Sequence, residues 1–186
     1  MSGASAAPSA LLGDQLIVNR AAYRLFLPYT GVALCRTGIP KRGDLVGVRP
    51  AGRADLIFKR VMGLPGETIE MRENRVLIDG SPLALEPLAR ADFYWVPPVH
   101  RIGPFVWNEA GHFVAFAPAV SPHGTFPPLT LAADRYFVLG DNRDNSVDSR
   151  QWGPVSGEEI LGKVVAVWRT GPRQRAVAAV PFRIVP

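Results

Sequence analysis

The apolar positions of this chain come in short runs, not in helical stripes. Gln15 to Val18, Leu45 to Arg49, Leu56 to Met62, Arg135 to Leu139 and Ile160 to Trp168 each read as a strand, the last of them long and central. Glu67 to Met71 and Val76 to Ile78 predict a hairpin around Arg72-Glu73-Asn74-Arg75, closed by Asp79-Gly80-Ser81-Pro82. Arg20 to Pro40 has no clean period and is expected to be a loop or short helical stretch, turning at Pro28 and Gly31. Residues 90 to 130 hold many prolines and aromatics, including Trp95, Trp107, Phe113 and Phe116, and read as an inserted β-subdomain. Ser156-Gly157-Glu158-Glu159 has the form of a capping box, for a single turn at most.

Composition narrows this to a mainly β chain. Eighteen Pro and eighteen Gly argue against long helices, and an apolar fraction of 47% supports a real core. With 186 residues the chain reads as one domain over 1–186, with an inserted cap at about 80–130. The single cysteine, Cys35, excludes an internal disulfide. The formal charge of +5 comes from scattered arginines without interleaved aromatics. That pattern fits mild attraction to anionic headgroups, not a nucleic-acid footprint. No run approaches 18 consecutive apolar residues, so no transmembrane helix is expected, and the small, polar first residues do not read as a signal peptide.

Two segments carry chemistry. Gly140-Asp141-Asn142-Arg143-Asp144-Asn145-Ser146-Val147-Asp148-Ser149-Arg150 follows the apolar run Tyr136 to Leu139. Asp, Asn and Ser side chains bond their own backbone and shape tight loops, and Asp148 and Arg150 are close enough in sequence to pair. Taken alone, the run reads as a structural turn. The second segment is Ile57-Phe58-Lys59-Arg60-Val61-Met62, ending at Gly63-Leu64-Pro65-Gly66. Alternation puts Ile57, Lys59 and Val61 on one face and Phe58, Arg60 and Met62 on the other. The chain uses 18 Arg and only three Lys: Lys41, Lys59 and Lys163. Lysine loses its proton when buried and can serve as a base; arginine cannot. A snorkelling strand lysine is the plainer alternative.

The two segments, with Gly13 to Val18 and Pro40 to Val46, occur in an order that resembles the type I signal peptidases, the bacterial leader peptidases. The resemblance spans both ends of the chain; residues from about 80 to 130 match nothing recognisable. It implies a signal-peptidase-like β-fold of antiparallel sheets with a small inserted β-subdomain. It also implies a serine endopeptidase with a Ser-Lys dyad, cleaving signal peptides from exported preproteins after a small residue. Counting back from Pro8 and Gly13-Asp14 places Ser5 at the nucleophile position and Lys59 at the base. Ser146 would orient the Lys59 amine, and Asp148 and Arg150 would hold the loop. Preprotein signal peptides would bind as an extended strand beside Leu56, Ile57 and Phe58. Ala6 stands beside the nucleophile where the family has Met.

The resemblance further implies the outer, periplasmic face of the bacterial cytoplasmic membrane, with the membrane surface as a partner and no nucleic acid. Family members carry N-terminal anchors before the nucleophile, whereas this chain starts four residues ahead of it. A truncated form, a start lying upstream and a degenerate copy all fit that. The competing reading is therefore a catalytically impaired homologue that binds extended peptides without cleaving them.

Other chemistries have less support. His100, His112 and His123 lie in the inserted region and are expected at the surface rather than in a Ser-His-Asp triad. No Cys pair or His-x-x-x-His offers a zinc site, and there is no glycine-rich phosphate loop. No metal or other cofactor is implied.

Overall fold

The computed structural model describes residues 5–10, 13–27, 29–30, 32–87, 105–116, 124–169 and 183–184. Its strands in chain order are β1 (Gln15–Asn19), β2 (Arg24–Phe26), β3 (Ala33–Arg36), β4 (Leu45–Val48), β5 (Ile57–Gly63), β6 (Thr68–Arg72), β7 (Arg75–Ile78) and β8 (Ser81–Pro82). They continue with β9 (Leu85–Pro87), β10 (Phe105–Glu109), β11 (His112–Phe116), β12 (Phe126–Thr130), β13 (Arg135–Leu139), β14 (Val155–Ser156), β15 (Ile160–Arg169) and β16 (Arg183–Ile184). Among the described residues one α-helical turn, α1 (Ser149–Trp152), interrupts them. The chain is mainly β, with every strand pair antiparallel.

The main sheet runs β1-β15-β4-β5-β13-β14, with β16 also on β15. Strand β5 is its spine, and it changes partner part-way. Ile57 to Arg60 pair with β4, whereas Arg60 to Gly63 pair with β13. Its C-terminal half is fully buried, which suits a strand covered on both faces. One face packs Val46, Val48, Val61, Val138, Tyr136 and Ile160 together. On the other face, Ala6 and Ala10 of the N-terminal segment pack with Leu45, Val164 and Val167, and Phe58 leans on that cluster. A second sheet, β12-β6-β7-β8, shares a core of Met62, Ile69, Met71, Phe137 and Leu139.

Arg60 points to the side of the N-terminal segment and is 1% exposed. Its guanidinium holds Asp141 with two bonds, Nε to Oδ1 at 2.9 Å and Nη2 to Oδ2 at 2.8 Å. It also donates to Ser9 Oγ at 2.9 Å and to the Gly43 carbonyl at 2.7 Å. One side chain thus ties the N-terminal segment, the turn before β4 and the polar loop to β5. Asp141 is fully buried, and although burial raises its pKa, Arg60 outweighs this and leaves it lowered.

Several expectations need correction. Arg20–Pro40 is more than loop and short helix: after a 3-10 turn at Arg20–Ala22 it also contains the β2–β3 ribbon. All four β3 residues are exposed, so no buried face imposed the alternation that marks a strand in sequence. The expected turning points, Pro28 and Gly31, lie outside the described residues. The Asp79-Gly80 pair does not end the hairpin; both residues have positive φ and reverse the chain into β8. The long β15 is interior, but β4 and β5 hold the middle of the sheet. The inserted region contributes a separate sheet, β11-β10-β9, while β12 rejoins β6. Trp95, His100 and His123 lie outside the described residues.

Candidate active site

Strand alternation delivers Lys59 to the opposite face from Arg60. There it is 2% exposed. Its Nζ donates to Ser146 Oγ at 2.9 Å. Burial pulls the amine from 10.5 down to about 8; Asp148 opposes this and Arg150 and Arg53 assist it. Lys59 is thus a lysine that sheds its proton only a little above neutral pH.

The polar loop begins where β13 ends. Gly140 follows Leu139, and a Cβ there would overlap the Ser146 side chain and stand 2.7 Å from the Ser5 carbonyl oxygen. Glycine is required because three segments meet at that point. The loop continues through a 3-10 turn, Arg143–Asn145, and into α1. Asp148 caps that helical turn and is fully buried. It accepts from Gly140 N at 3.0 Å and from Arg150 Nε and Nη2, both at 2.8 Å. Arg150 also reaches the Arg143 carbonyl at 2.6 Å. Burial raises the Asp148 pKa, but Arg150, Gly140 N–H and Ser146 together leave it lowered and the carboxylate ionised. The expected Asp148–Arg150 pair is therefore present as a bidentate fork.

Ser5 is half-buried and joins this cluster through its main chain: its carbonyl accepts from Asn142 N at 3.1 Å. Ser5, Ser146, Gly140 and Lys59 thus belong to one neighbourhood, although they come from four parts of the chain. Ala6 is completely buried beneath Phe58, so its methyl has no surface of its own. Leu56 is exposed, and Ile57 and Phe58 are half-buried. Gly47 lies opposite Phe58, and a Cβ on it would sit within 3.4 Å of both Leu56 and Phe58. Strand β13 ends opposite Arg60, so on that side the backbone of Ile57 to Lys59 has no strand partner among the described residues. This leaves a short open edge beside Lys59.

Sequence reasoning missed two buried charge clusters at this site. One is Arg60–Asp141. The other joins Glu109 and His112 of the outer hairpin to Arg143. His112 was expected at the surface and is 3% exposed. It lies in the inserted region, away from the motif segments, but β11 lies against the polar loop, with Ala115 bridged to Asn142. The signal available for the first was the density of Asp and Arg in the loop, each needing a partner if buried. For Glu109 the sequence held no signal. Among the described residues no group of His, Cys, Asp and Glu is arranged to hold a metal ion.

Comparison with known proteins agrees with the motif reading. A family model described as signal peptidase, peptidase S26, matches residues 1–169. Signal peptidase I of Pseudomonas aeruginosa is 32% identical over 183 residues, covering 89% of this chain and 62% of that protein. Signal peptidase I P of Bacillus subtilis subsp. natto is 30% identical, covering 86% of this chain and 70% of that protein. The chain thus spans less than two-thirds of the Pseudomonas protein's length. A crystal structure of a signal peptidase I from Enterococcus faecalis aligns with 67% of this chain and 96% of that one, at 32% identity and a TM-score of 0.43.

Two predictions follow from the geometry. Asp148→Ala strands the buried Arg150 and frees Gly140 N, costing about 3–5 kcal/mol, whereas Ser146→Ala removes one acceptor and costs about 1 kcal/mol. Thermal melts of the two variants measure the difference, and equal melting points would contradict the assigned roles. Lys59 has a folded pKa of about 8 against 10.5 unfolded, so the unfolded chain binds more proton between those values. The penalty for its buried charge is full below pH 8 and is relieved as pH rises toward 10.5. Lys59→Met should therefore melt higher than the parent at pH 6.5, by an amount that shrinks toward pH 10. A pH-independent difference would contradict it.

Proposed function

Because the chain belongs to the signal peptidase family, peptidase S26, we propose that it is a serine endopeptidase that removes signal peptides from exported preproteins with a Ser5–Lys59 dyad. The observation that carries this reading is a single one. Lys59 is a buried lysine, its pKa lowered to about 8, bonded to Ser146 in the neighbourhood of Ser5 and beside an open strand edge.

The substrate enters as an extended strand along Ile57 to Lys59, taking main-chain hydrogen bonds that β13 leaves unmade. Leu56, Ile57 and Phe58 present apolar surface along that edge, and Phe58 packs on the cluster that contains the fully buried Ala6. Such a shallow, apolar site accepts a small residue at the scissile bond. Lys59, neutral, takes the Ser5 hydroxyl proton as Oγ attacks the carbonyl carbon. The Ser5 main-chain N–H donates to the developing oxyanion. The ammonium of Lys59 then returns the proton to the leaving amine, and water hydrolyses the acyl-enzyme by the same base. Ser146 keeps the Lys59 amine aimed, and the Asp148–Arg150 fork keeps Ser146 in place.

The place of action is the outer face of the cytoplasmic membrane, where signal peptides emerge. No helix among the described residues is long and apolar enough to cross a membrane. The β2–β3 ribbon supplies a lipid-facing element instead. It exposes Leu25, Leu27, Tyr29, Val32 and Leu34. The stretch between Asp14 and Asp44 also carries Arg20, Arg24, Arg36, Lys41 and Arg42 and no acidic residue. An apolar ribbon among cations suits an anionic bilayer surface.

The central test is Lys59→Arg, which keeps the charge and removes the base. Cleavage of a peptide with Ala at the scissile position should fall roughly 10²- to 10⁴-fold. In the parent, kcat/KM should rise with pH through about 8, as the Lys59 amine deprotonates. Peptide binding without turnover in the parent would favour the non-catalytic homologue. For the membrane surface, Leu34→Ser with Tyr29→Ser should reduce co-sedimentation with vesicles of mixed neutral and anionic phospholipid. Unchanged sedimentation would remove the ribbon from that role.

A further inference from the structure

Outside the dyad and its loop lies a second buried cluster, built by the outer sheet. Glu109 ends β10 and is 1% exposed; His112 begins β11 and is 3% exposed. Glu109 pairs with Arg143, itself 1% exposed, and His112 lies against Glu109. Arg143 Nη1 donates to Glu109 Oε1 at 2.9 Å, and Nη2 donates to Oε2. The guanidinium also lies over the Phe116 ring, 5.8 Å from its centroid. His112 Nε2 is 3.4 Å from Glu109 Oε2. Burial alone would raise the Glu109 carboxyl, but Arg143 and His112 bring it down to about 2, so the carboxylate is charged throughout the working pH range.

A buried ion pair of this kind is weak evidence for stability, because desolvation offsets the attraction. It is better evidence for fixed geometry. The connections of Arg143 are therefore what matter. Its carbonyl accepts from Arg150 Nη2, the same nitrogen that holds Asp148. The preceding residue, Asn142, donates its main-chain N–H to the Ser5 carbonyl. The residue before that, Asp141, accepts Ala115 N at 2.8 Å through its carbonyl and pairs with Arg60 through its side chain. The stretch 141–143 is thus gripped by β11 on one side and grips Ser5 and Arg150 on the other.

We propose that Glu109 is a positioning residue: by fixing Arg143 from the outer hairpin, it sets where the 141–143 stretch holds Ser5 and where Arg150 holds the Asp148–Ser146 arm against Lys59. This rests on the Ser5–Lys59 reading. The outer sheet is then a brace for the site and not only a cap over the fold. When Glu109 is lost, Arg143 must find water or another acceptor, the 3-10 turn shifts, and Ser146 moves from the Lys59 amine.

The test uses the full chain. Glu109→Gln keeps shape and removes the charge. Glu109→Met with Arg143→Met replaces the pair by apolar side chains of similar reach, so the fold survives even where the single variant does not. Three things are measured: the thermal melt, kcat and KM for a peptide with Ala at the scissile position, and the titration midpoint of Lys59 by 15N NMR of the three lysine side chains. The expected result is a double variant that melts near the parent but has kcat reduced roughly 10²-fold, with KM within about twofold. The Lys59 midpoint should move upward as water reaches its amine. A folded double variant with parental kcat and an unmoved midpoint would overturn the proposal. A Ser5→Ala control separates the two ideas. If the parent does not cleave, or Ser5→Ala cleaves as well as the parent, the dyad reading fails. The Lys59 midpoint still decides whether Glu109 holds the site.

Discussion

Two adjacent cations on one strand organise the molecule. A β-strand sends Lys59 and Arg60 to opposite faces, and both are buried. Arg60 has a full set of acceptors in Asp141, Ser9 and Gly43, so its charge is neutralised at once and stays. Lys59 donates instead to the neutral Ser146 hydroxyl, while the Asp148 carboxylate is held by Arg150. The same burial therefore gives opposite results. Arginine remains a structural cation, and lysine becomes a weak acid near neutrality.

That division of labour explains how the site is assembled. The Arg60–Asp141 pair fixes the start of the polar loop and ties down Ser9, four residues beyond Ser5. Gly140 then lets the loop pass under the Ser5 carbonyl. The Asp148–Arg150 fork turns the loop back so that Ser146 meets Lys59. The bonds that cross between segments are mostly charge-assisted or main-chain, which resist sliding better than apolar contacts would. Among the described residues no strand fills the edge beside Ile57 to Lys59, because β13 ends opposite Arg60 and becomes the loop. The strand that builds the site also vacates the space beside it.

The outer hairpin extends the same logic. Its Glu109, flanked by His112, meets Arg143, and Ala115 meets the loop backbone. Three carboxylates, Glu109, Asp141 and Asp148, each hold one arginine, 143, 60 and 150, at three places around Ser5 and Ser146.

The sequence determined β1, β4, β5, β6, β7, β13 and β15, because runs covered by a core on at least one face leave apolar patterns. It also marked Lys59 and the Asp148–Arg150 pair, because a lone lysine in an arginine-rich chain and a dense polar run are local features, whereas the place of Ser146 beside Lys59 came only from resemblance. Ser5 could be placed only through resemblance, since a small-residue N-terminus carries no pattern of its own. The β2–β3 ribbon was illegible for the opposite reason: β3 is exposed on both faces and β2 is only three residues long, so neither leaves an alternating run. Tertiary structure alone decided the partners. That Arg60 meets Asp141 across 81 positions, and that Arg143 meets Glu109 across 34, depends on how strands stack, which no local spacing encodes. His112 shows the limit most clearly. Its place in the inserted region suggested surface, and only the docking of β11 against the loop buried it. The open edge beside Lys59 is likewise a property of two strands diverging, and so exists only in the folded chain.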